Sequence, residues 1–368
     1  MPESKDICLP LTDDLALIKE AILHGGAIAR DAFHANDSKV WDKAGNHPVT
    51  DADIAVNDYL RDVLMRARPN YGWLSEETKD DYSRRSCPRT FVIDPIDGTR
   101  AFIDRSANFA VSIAIIEDGQ SVVGALYNPL TEELFTATKG GGAALNGEAI
   151  KPSSRAELEG CRMIGYPRKF RRQGWPAMNV HIANSMAYRI ALVACGQADA
   201  TVAFTPKSDW DVAAAALIAT ESGAQVTDLY GKPFRYDREG TSQTGVICAG
   251  AKLMPLIKTR MKSLIDAAAR SDNPARDFAY LGTRMSDRKT EDTPELLHIV
   301  FGGELVDPMK TKFIDLSKVH FVGAYPNYAK AHEAWKSSAQ RTVDNAHMRY
   351  FILHAHELID PDKDGIIG

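Results

Sequence analysis

Two aspartates three residues apart, Asp94 and Asp97, sit at the end of the run Phe91-Val92-Ile93-Asp94-Pro95-Ile96-Asp97-Gly98-Thr99. The apolar residues at 91–93 predict a buried strand. Pro95 fixes its own φ and holds Asp94 extended. Gly98 lets the backbone approach a ligand closely and present its N–H, and Thr99 adds a hydroxyl. Carboxylates, an N–H and a hydroxyl at a strand end suit a hard cation and a phosphate. The same residue types also build ordinary turns, so this stretch alone leaves both readings open. Further acids stand at Asp53, Glu76, Glu77 and Asp211. Each has a local explanation as a helix cap, a helix-dipole partner or a solvated acid.

The elements that must position these acids are legible from periodicity and punctuation. Thr12 to Phe33 predicts a helix, with Leu15, Ile18, Ile22 and Ala29 at helical spacing. Lys43 to Pro48 reads as a loop. Thr50-Asp51-Ala52-Asp53 has the form of a capping box that opens a helix through about Leu64. Tyr71 to Glu77 reads as a strand or turn. Phe109–Ile116, Val122–Tyr127 and Leu134–Thr138 are β-rich segments joined by Asp118-Gly119 and Asn128-Pro129, which predicts an antiparallel meander. Beyond Pro152, helices over Asn184–Cys195, Trp210–Ser222 and Met254–Ala269 alternate with strands over Ala200–Phe204 and Gly245–Ala249. The expected fold class is α/β (α+β) in layers.

Length and composition bound the function. The 368 residues suffice for about two or three domains. A net charge of −5 argues against a general nucleic-acid binder. No apolar run approaches the ~18 residues of a membrane span, and the polar start, Met1 to Asp14, has no signal-peptide core. The five cysteines lie far apart with no Cys-x-x-Cys pair. A reduced, cytoplasmic protein is therefore expected, with no nucleic-acid polymer or membrane as partner.

In order, the acids form Asp53…Glu76-Glu77…Asp94-Pro95-Ile96-Asp97-Gly98-Thr99…Trp210-Asp211-Val212-Ala213-Ala214. This set resembles the inositol monophosphatase superfamily of Mg²⁺-dependent, lithium-sensitive phosphatases, from about residue 12 to 268. The resemblance implies a layered α-β-α-β-α sandwich, with an N-terminal metal-binding lobe over 1–155 and a second lobe over 156–270. It also implies that Glu76, Asp94, Asp97, Asp211 and the Ile96 carbonyl hold about two or three Mg²⁺ ions. Asp53 and Thr99 would orient the attacking water, with Glu76 also catalytic. The Gly98 and Thr99 N–H groups would hold the phosphate, Glu77 would support, and Lys43 would approach from a loop. The chemistry is coherent on its own terms. Oxygen-only ligands favour Mg²⁺, and converging carboxylates repel one another until cations join them.

Two details lean away from an inositol phosphate as the small-molecule ester. Ser75 precedes Glu76 where inositol phosphatases usually carry Gly, and Phe204 stands where they usually place a hydroxyl-binding Glu. Leu74–Glu77 and Asp97–Ile103, Arg100 included, look more like the bacterial 3'(2'),5'-bisphosphate nucleotidase branch. That branch cleaves adenosine 3',5'-bisphosphate and must hold a second phosphate, which Lys207 is placed to reach. Arg168, Lys169, Arg171 and Arg172 form a basic cluster that reads either as a nucleotide grip or as a solvated loop. An inositol, sugar or histidinol phosphate remains the alternative substrate. A non-catalytic scaffold, the competing class, is disfavoured by the intact motif set.

Ser271 to Pro294 reads as a polar linker, with a domain boundary at about 271–294. The tail, 295–368, resembles a small domain of unknown function found in alphaproteobacteria and is expected to be α+β. Strands are expected over Leu296–Phe301 and Val319–Val322, then one helix over Asn327–Leu358 or two broken near Asp344-Asn345. A structural or oligomerisation role, such as a homodimer, is the expectation for it. Asp360 to Ile367 matches the first eight positions of an EF-hand loop but ends before the bidentate Glu, which predicts weak Ca²⁺ binding at most.

Overall fold

The computed structural model describes residues 9–43, 47–269, 298–306, 313–325, 328–342 and 347–354. The chain divides into two compact units, Met1–Met285 and Ser286–Gly368. The predicted linker and the EF-hand-like end lie outside the described residues.

In the first unit, α1 (Leu11–Ala35) leads through a hairpin of β1 (Val40–Lys43) and β2 (His47–Thr50) into α2 (Asp51–Ala67). The Lys43–Pro48 loop of the sequence reading is thus flanked by paired strands, with Pro48 opposite Asp42. A two-stranded ribbon tolerates that proline because it is all edge. The capping box forms as its sequence predicts: the Thr50 hydroxyl accepts from the Asp53 N–H, and the Asp53 carboxylate accepts from the Thr50 N–H at 2.7 Å.

A seven-stranded sheet follows: β3 (Gly72–Ser75), β4 (Thr90–Asp97), β5 (Ala110–Glu117), β6 (Gln120–Asn128), β7 (Glu133–Thr138), β8 (Gly142–Leu145) and β9 (Glu148–Ala149), in sequential order. Only β3 and β4 run parallel. The one-turn helix α3 (Thr99–Ile103) leaves the end of β4. A five-stranded sheet is built from β10 (Arg162–Ile164), β11 (Asn179–His181), β12 (Ala200–Ala203), β14 (Gln225–Thr227) and β16 (Val246–Ala249), in the order β11-β10-β12-β16-β14. Between and around these lie α4 (Pro167–Arg172), α5 (Met186–Ala194), β13 (Lys207–Ser208), α6 (Asp209–Glu221), β15 (Ser242–Gln243) and α7 (Met254–Ala269).

Three apolar interfaces stack these elements into five layers. Ile18, Ile22, Val56 and Leu60 of α1 and α2 pack on Phe91, Ile93, Ile113 and Ile115. The other face of that sheet, with Val92, Ala110 and Ala114, packs on α5 and α6, which also meet Ile164, Val246 and Cys248 of the second sheet. Met163, Val202 and Ile247 on its far side pack on Met254, Ile257 and Met261 of α7. This is an α-β-α-β-α order.

Because α6 is sandwiched between two sheets, residues 212–219 are all buried. Alanines at 213–216 and 219 keep it thin. A Cβ on Gly124 of β6 would sit 2.9 Å from the Ala214 carbonyl oxygen, so glycine is what allows this approach. The close pair carries a functional element, since α6 also presents Asp211.

In the second unit, β17 (His298–Glu304) is the centre of an antiparallel sheet between β18 (His320–Tyr325) and β19 (Met348–His354), with α8 over Tyr328–Arg341. The helix expected over Asn327–Leu358 therefore stops at Arg341, and Met348–His354 is a strand. Phe351 packs on Phe301 and Phe313, and the Tyr350 carbonyl accepts from Trp335 Nε1 at 2.8 Å. Pairing with β17 overrides local helical spacing here. Among the described residues, no helix is long and apolar enough to cross a membrane.

Gly124→Ala is expected to push α6 off β6 and cost about 1–3 kcal/mol, as overpacking does. A thermal melt checks it. An unchanged Tm would show that the layers yield freely at this contact.

Candidate metal centre

Alternation along β4 sets the first ligand. Val92 faces α5 and α6, so Asp94, two residues on, shares that face. It is 1% exposed. Regular pairing of β4 with β5 breaks after Asp94 opposite Ser112 and resumes at Asp97 opposite Ala110. Pro95, which lacks an N–H, and Ile96 lie in the gap. The Ile96 N–H turns back to Asp94 Oδ1 at 3.1 Å, and the Ile96 carbonyl lies 3.2 Å from the Thr99 hydroxyl. Gly98 then takes φ +100°, and a Cβ there would meet the Asn108 carbonyl at 3.0 Å and the Ser185 N–H at 3.1 Å. Both conformation and crowding require glycine.

The second and third ligands come from other layers. Glu76 follows β3, which is parallel to β4, so both strands end at the same edge. Ser75 beside it is buried and donates to Asn57 Oδ1 of α2 at 2.7 Å. Asp211 sits in the first turn of α6, where its Oδ2 accepts from the Ser208 N–H at 2.9 Å. Its neighbour Asp209 is pinned by Arg238 and Gln243 at 2.9 and 2.7 Å. One carboxylate oxygen each of Glu76, Asp94 and Asp211 lies within 4.8 Å of the others.

Electrostatics make this arrangement unfavourable by itself. Burial first, then the charges of Glu76, Asp97, Asp211 and Asp53, push the Asp94 carboxyl well above its ordinary range. Asp97 rises to about 6, chiefly from burial and then from Asp211, against hydrogen bonds that lower it. A divalent cation removes the repulsion, and an all-oxygen donor set suits a hard one. The residues present fit a metal.

The cleft around them is about 510 Å³ and is lined by Glu76, Asp94, Asp97, Asp211, Gly98, Thr99, Arg100 and Lys207. Other sequence-derived candidates sit differently. Asp97 lines the cleft but falls outside the close triplet. Its Oδ2 accepts from the Ser185 hydroxyl and the Ala187 N–H at 2.5 and 2.6 Å, tying β4 to the start of α5. Asp53 is 1% exposed and stands behind Thr99, whose hydroxyl is 3.3 Å from Asp53 Oδ1. Glu77 and the Ile96 side chain do not line the cleft, and the Lys43 side chain lies outside the described residues. Ser185, Asn184 and Tyr166 are additions. Ser185 falls inside the helix expected over Asn184–Cys195 with no role of its own in the sequence, because its partner is 88 residues away.

Asp94→Asn keeps an acceptor for the Ile96 N–H and removes a charge. The metal-free variant is expected to melt several degrees above wild type and to lose stabilisation by divalent cations. For Asp94 and Asp97 the folded state binds protons more tightly than the unfolded chain, so their contribution is present at low pH and lost as pH rises, for Asp97 through about 6. Metal-free wild type should therefore gain Tm on going from pH 7.5 to 5, and Asp94→Asn should gain less. Equal gains would show that these carboxyls do not carry the repulsion.

Comparison with known proteins agrees with this geometry. The model of the "Inositol monophosphatase family" matches residues 12–266, and that of a "Domain of unknown function (DUF4170)" matches residues 296–355. An inositol monophosphatase of Dictyostelium discoideum is 36% identical over 214 residues, spanning 54% of this chain and 78% of that one. The Nus factor SuhB of Escherichia coli is 31% identical, spanning 58% and 84%. Among solved structures, the extragenic suppressor protein suhB of Bartonella henselae superposes with a TM-score of 0.61 at 27% identity, covering 68% of this chain and 98% of that one. The IMPase of Thermotoga maritima gives a TM-score of 0.61 at 25% identity, covering 69% and 99%. The chain belongs to the inositol monophosphatase family, a metal-dependent family, and is a phosphoric monoester hydrolase with an acidic group that could hold a metal.

Proposed function

We propose that this chain is a Mg²⁺-dependent, lithium-sensitive phosphomonoesterase acting on adenosine 3',5'-bisphosphate, releasing phosphate and AMP. The observation that carries the phosphatase reading is the convergence of Glu76, Asp94 and Asp211 beside the Gly98–Thr99 turn. Those carboxylates, with Asp97 and the Ile96 carbonyl, are the groups that would hold about two or three ions. Bound Mg²⁺ supplies Lewis acidity toward phosphoryl oxygens and makes water more acidic.

The protein's own groups do the rest. Thr50 donates to Asp53 Oδ2 from both its N–H and its hydroxyl, at 2.7 and 2.6 Å, which fixes the carboxylate. Asp53 in turn orients the Thr99 hydroxyl. A water held at Thr99 then has a path for its proton through that hydroxyl to Asp53. The Gly98 and Thr99 N–H groups and Arg100, whose residues line the cleft, would hold the phosphate. Among the described residues, the motif set supplies no Cys or His nucleophile at the cleft, which fits direct attack by water.

The choice of a bisphosphate rests on Lys207 and Phe204. Lys207 lines the cleft together with the acids. Phe204 is buried against Phe170 and Trp175, so no carboxylate at that position reads a sugar hydroxyl. An inositol phosphate is the second reading, because relatives such as that of Dictyostelium discoideum are named inositol monophosphatases.

Phosphate release with and without Mg²⁺ tests both parts. The bisphosphate is expected to show the higher kcat/KM, and Asp211→Asn to lose about a thousandfold in kcat. Turnover that is indifferent to chelation would refute the mechanism. A higher kcat/KM for inositol 1-phosphate would move the assignment to the second reading.

A further inference from the structure

Residues 228–243 line none of the acidic cleft, yet they fix how one of its acids is presented. Asp211 comes from the first turn of α6. The chain just before that turn is β13, which pairs with β15, Lys207 opposite Gln243 and Ser208 opposite Ser242. The Asp209 N–H then donates to the Thr241 carbonyl at 2.7 Å. The body of α6 gives little axial grip, because alanines at 213–216 interdigitate shallowly with their neighbours. The start of the helix is therefore where its position is fixed.

Asp209 is the group in this start that ordinary packing does not explain. Its side chain is fully buried, and its Oδ1 accepts from both Arg238 Nη2 at 2.9 Å and Gln243 Nε2 at 2.7 Å. Among the described residues its Oδ2 has no hydrogen-bond partner. A buried pair so incompletely compensated contributes little to stability. What it fixes is direction. The other guanidinium nitrogens of Arg238 donate to the carbonyls of Arg235 and Ser242 at 2.8 and 3.0 Å, so the fork is locked onto its own loop and points at Asp209. That loop is gripped from the opposite side as well. Arg84, 4% exposed, donates to the carbonyls of Tyr236 and Arg238 at 3.4 and 3.2 Å and pairs with Asp80. Arg84 lies against the first residues of β3 and β4: a Cβ on Gly72 would come within 2.6 Å of its Cβ, and the Thr90 hydroxyl donates to its carbonyl at 3.3 Å. Residues 236–238 thus bridge the strand pair that carries Glu76 and Asp94 to the helix that carries Asp211.

We infer that Arg238 and Asp209 are positioning residues for metal binding: their clamp, braced by Arg84, sets how far Asp211 stands from Glu76 and Asp94. The inference rests on the reading of those three carboxylates as metal ligands. Like charges held this close push α6 away from the strand ends. The clamp opposes that push without touching the ion, and it keeps the three oxygens at a spacing one cation can span. Loosening it lets Asp211 retreat, so the site must be drawn together again at the cost of metal affinity.

The test is Mn²⁺ binding to the full chain, read from the electron paramagnetic resonance signal of free Mn²⁺, with a thermal melt of each metal-free variant beside it. Affinity is expected to be about 10-fold weaker in Arg238→Met and in Asp209→Asn, and no weaker still in the double variant, because each substitution breaks the same clamp. Asp209→Asn keeps an acceptor for both donors and removes only the charge. Arg238→Lys keeps the charge but cannot reach Arg235, Ser242 and Asp209 together, and is expected to bind like Arg238→Met. Ile257→Ala is the control: its side chain is buried under α7, beyond the second sheet, and it is expected to lower Tm and to bind Mn²⁺ like wild type. The Arg238 side chain is 36% exposed, so its replacement leaves a folded protein; if Asp209→Asn does not fold, the two Arg238 variants decide. Affinity unchanged in Arg238→Met, or weakened as much in Ile257→Ala, overturns the inference and leaves the metal centre standing. Absence of Mn²⁺ binding in wild type overturns both.

Discussion

Repulsion among buried carboxylates is the constraint on which the rest of this structure depends. Asp94 is buried, and Glu76, Asp97, Asp211 and Asp53 all raise the cost of ionising it. A flexible chain would relax that repulsion by moving the acids apart. Here each is held by a different layer: Glu76 by the end of β3, Asp94 by the bulge in β4, and Asp211 by the cap of α6. The three apolar interfaces supply the rigidity. The site is a local energetic liability, held in place until a cation turns it into an attraction.

The same logic explains the small polar groups near the acids. Ser185 and the Ala187 N–H hold Asp97, and Thr50 holds Asp53. Both carboxylates double as helix N-terminal acceptors, where the helix dipole favours negative charge. The acids are thus partly compensated by α2 and α5 before any ligand arrives. On α5 itself, Arg189 is a buried cation beside the Tyr166 ring.

Much of this was legible along the chain because it is local. The Asp94–Thr99 turn, the Thr50–Asp53 capping box and the Ala-rich start of α6 each carry their own geometry. What depended on contacts between layers was not legible. Ser185 meets Asp97 across 88 residues, and nothing near Arg189 in sequence tells that an apolar helix will carry it to the edge of a cavity. The stretch Met348–His354 lies in the Gly- and Pro-free run that suggests a helix over Asn327–Leu358, and its pairing with β17, from His298↔His354 to Glu304↔Met348, makes it a strand. The ribbon at β1 and β2 escaped notice because Pro48 marks a loop more often than a strand.

The most direct measurement of the central claim is an anomalous-difference map from crystals of the full chain grown with Mn²⁺, a scattering substitute for Mg²⁺. A peak about 2.0–2.3 Å from carboxylate oxygens of Glu76, Asp94 and Asp211 is the predicted result. Mn²⁺ bound elsewhere, with these three carboxylates still mutually close and unligated in a catalytically competent protein, would contradict it.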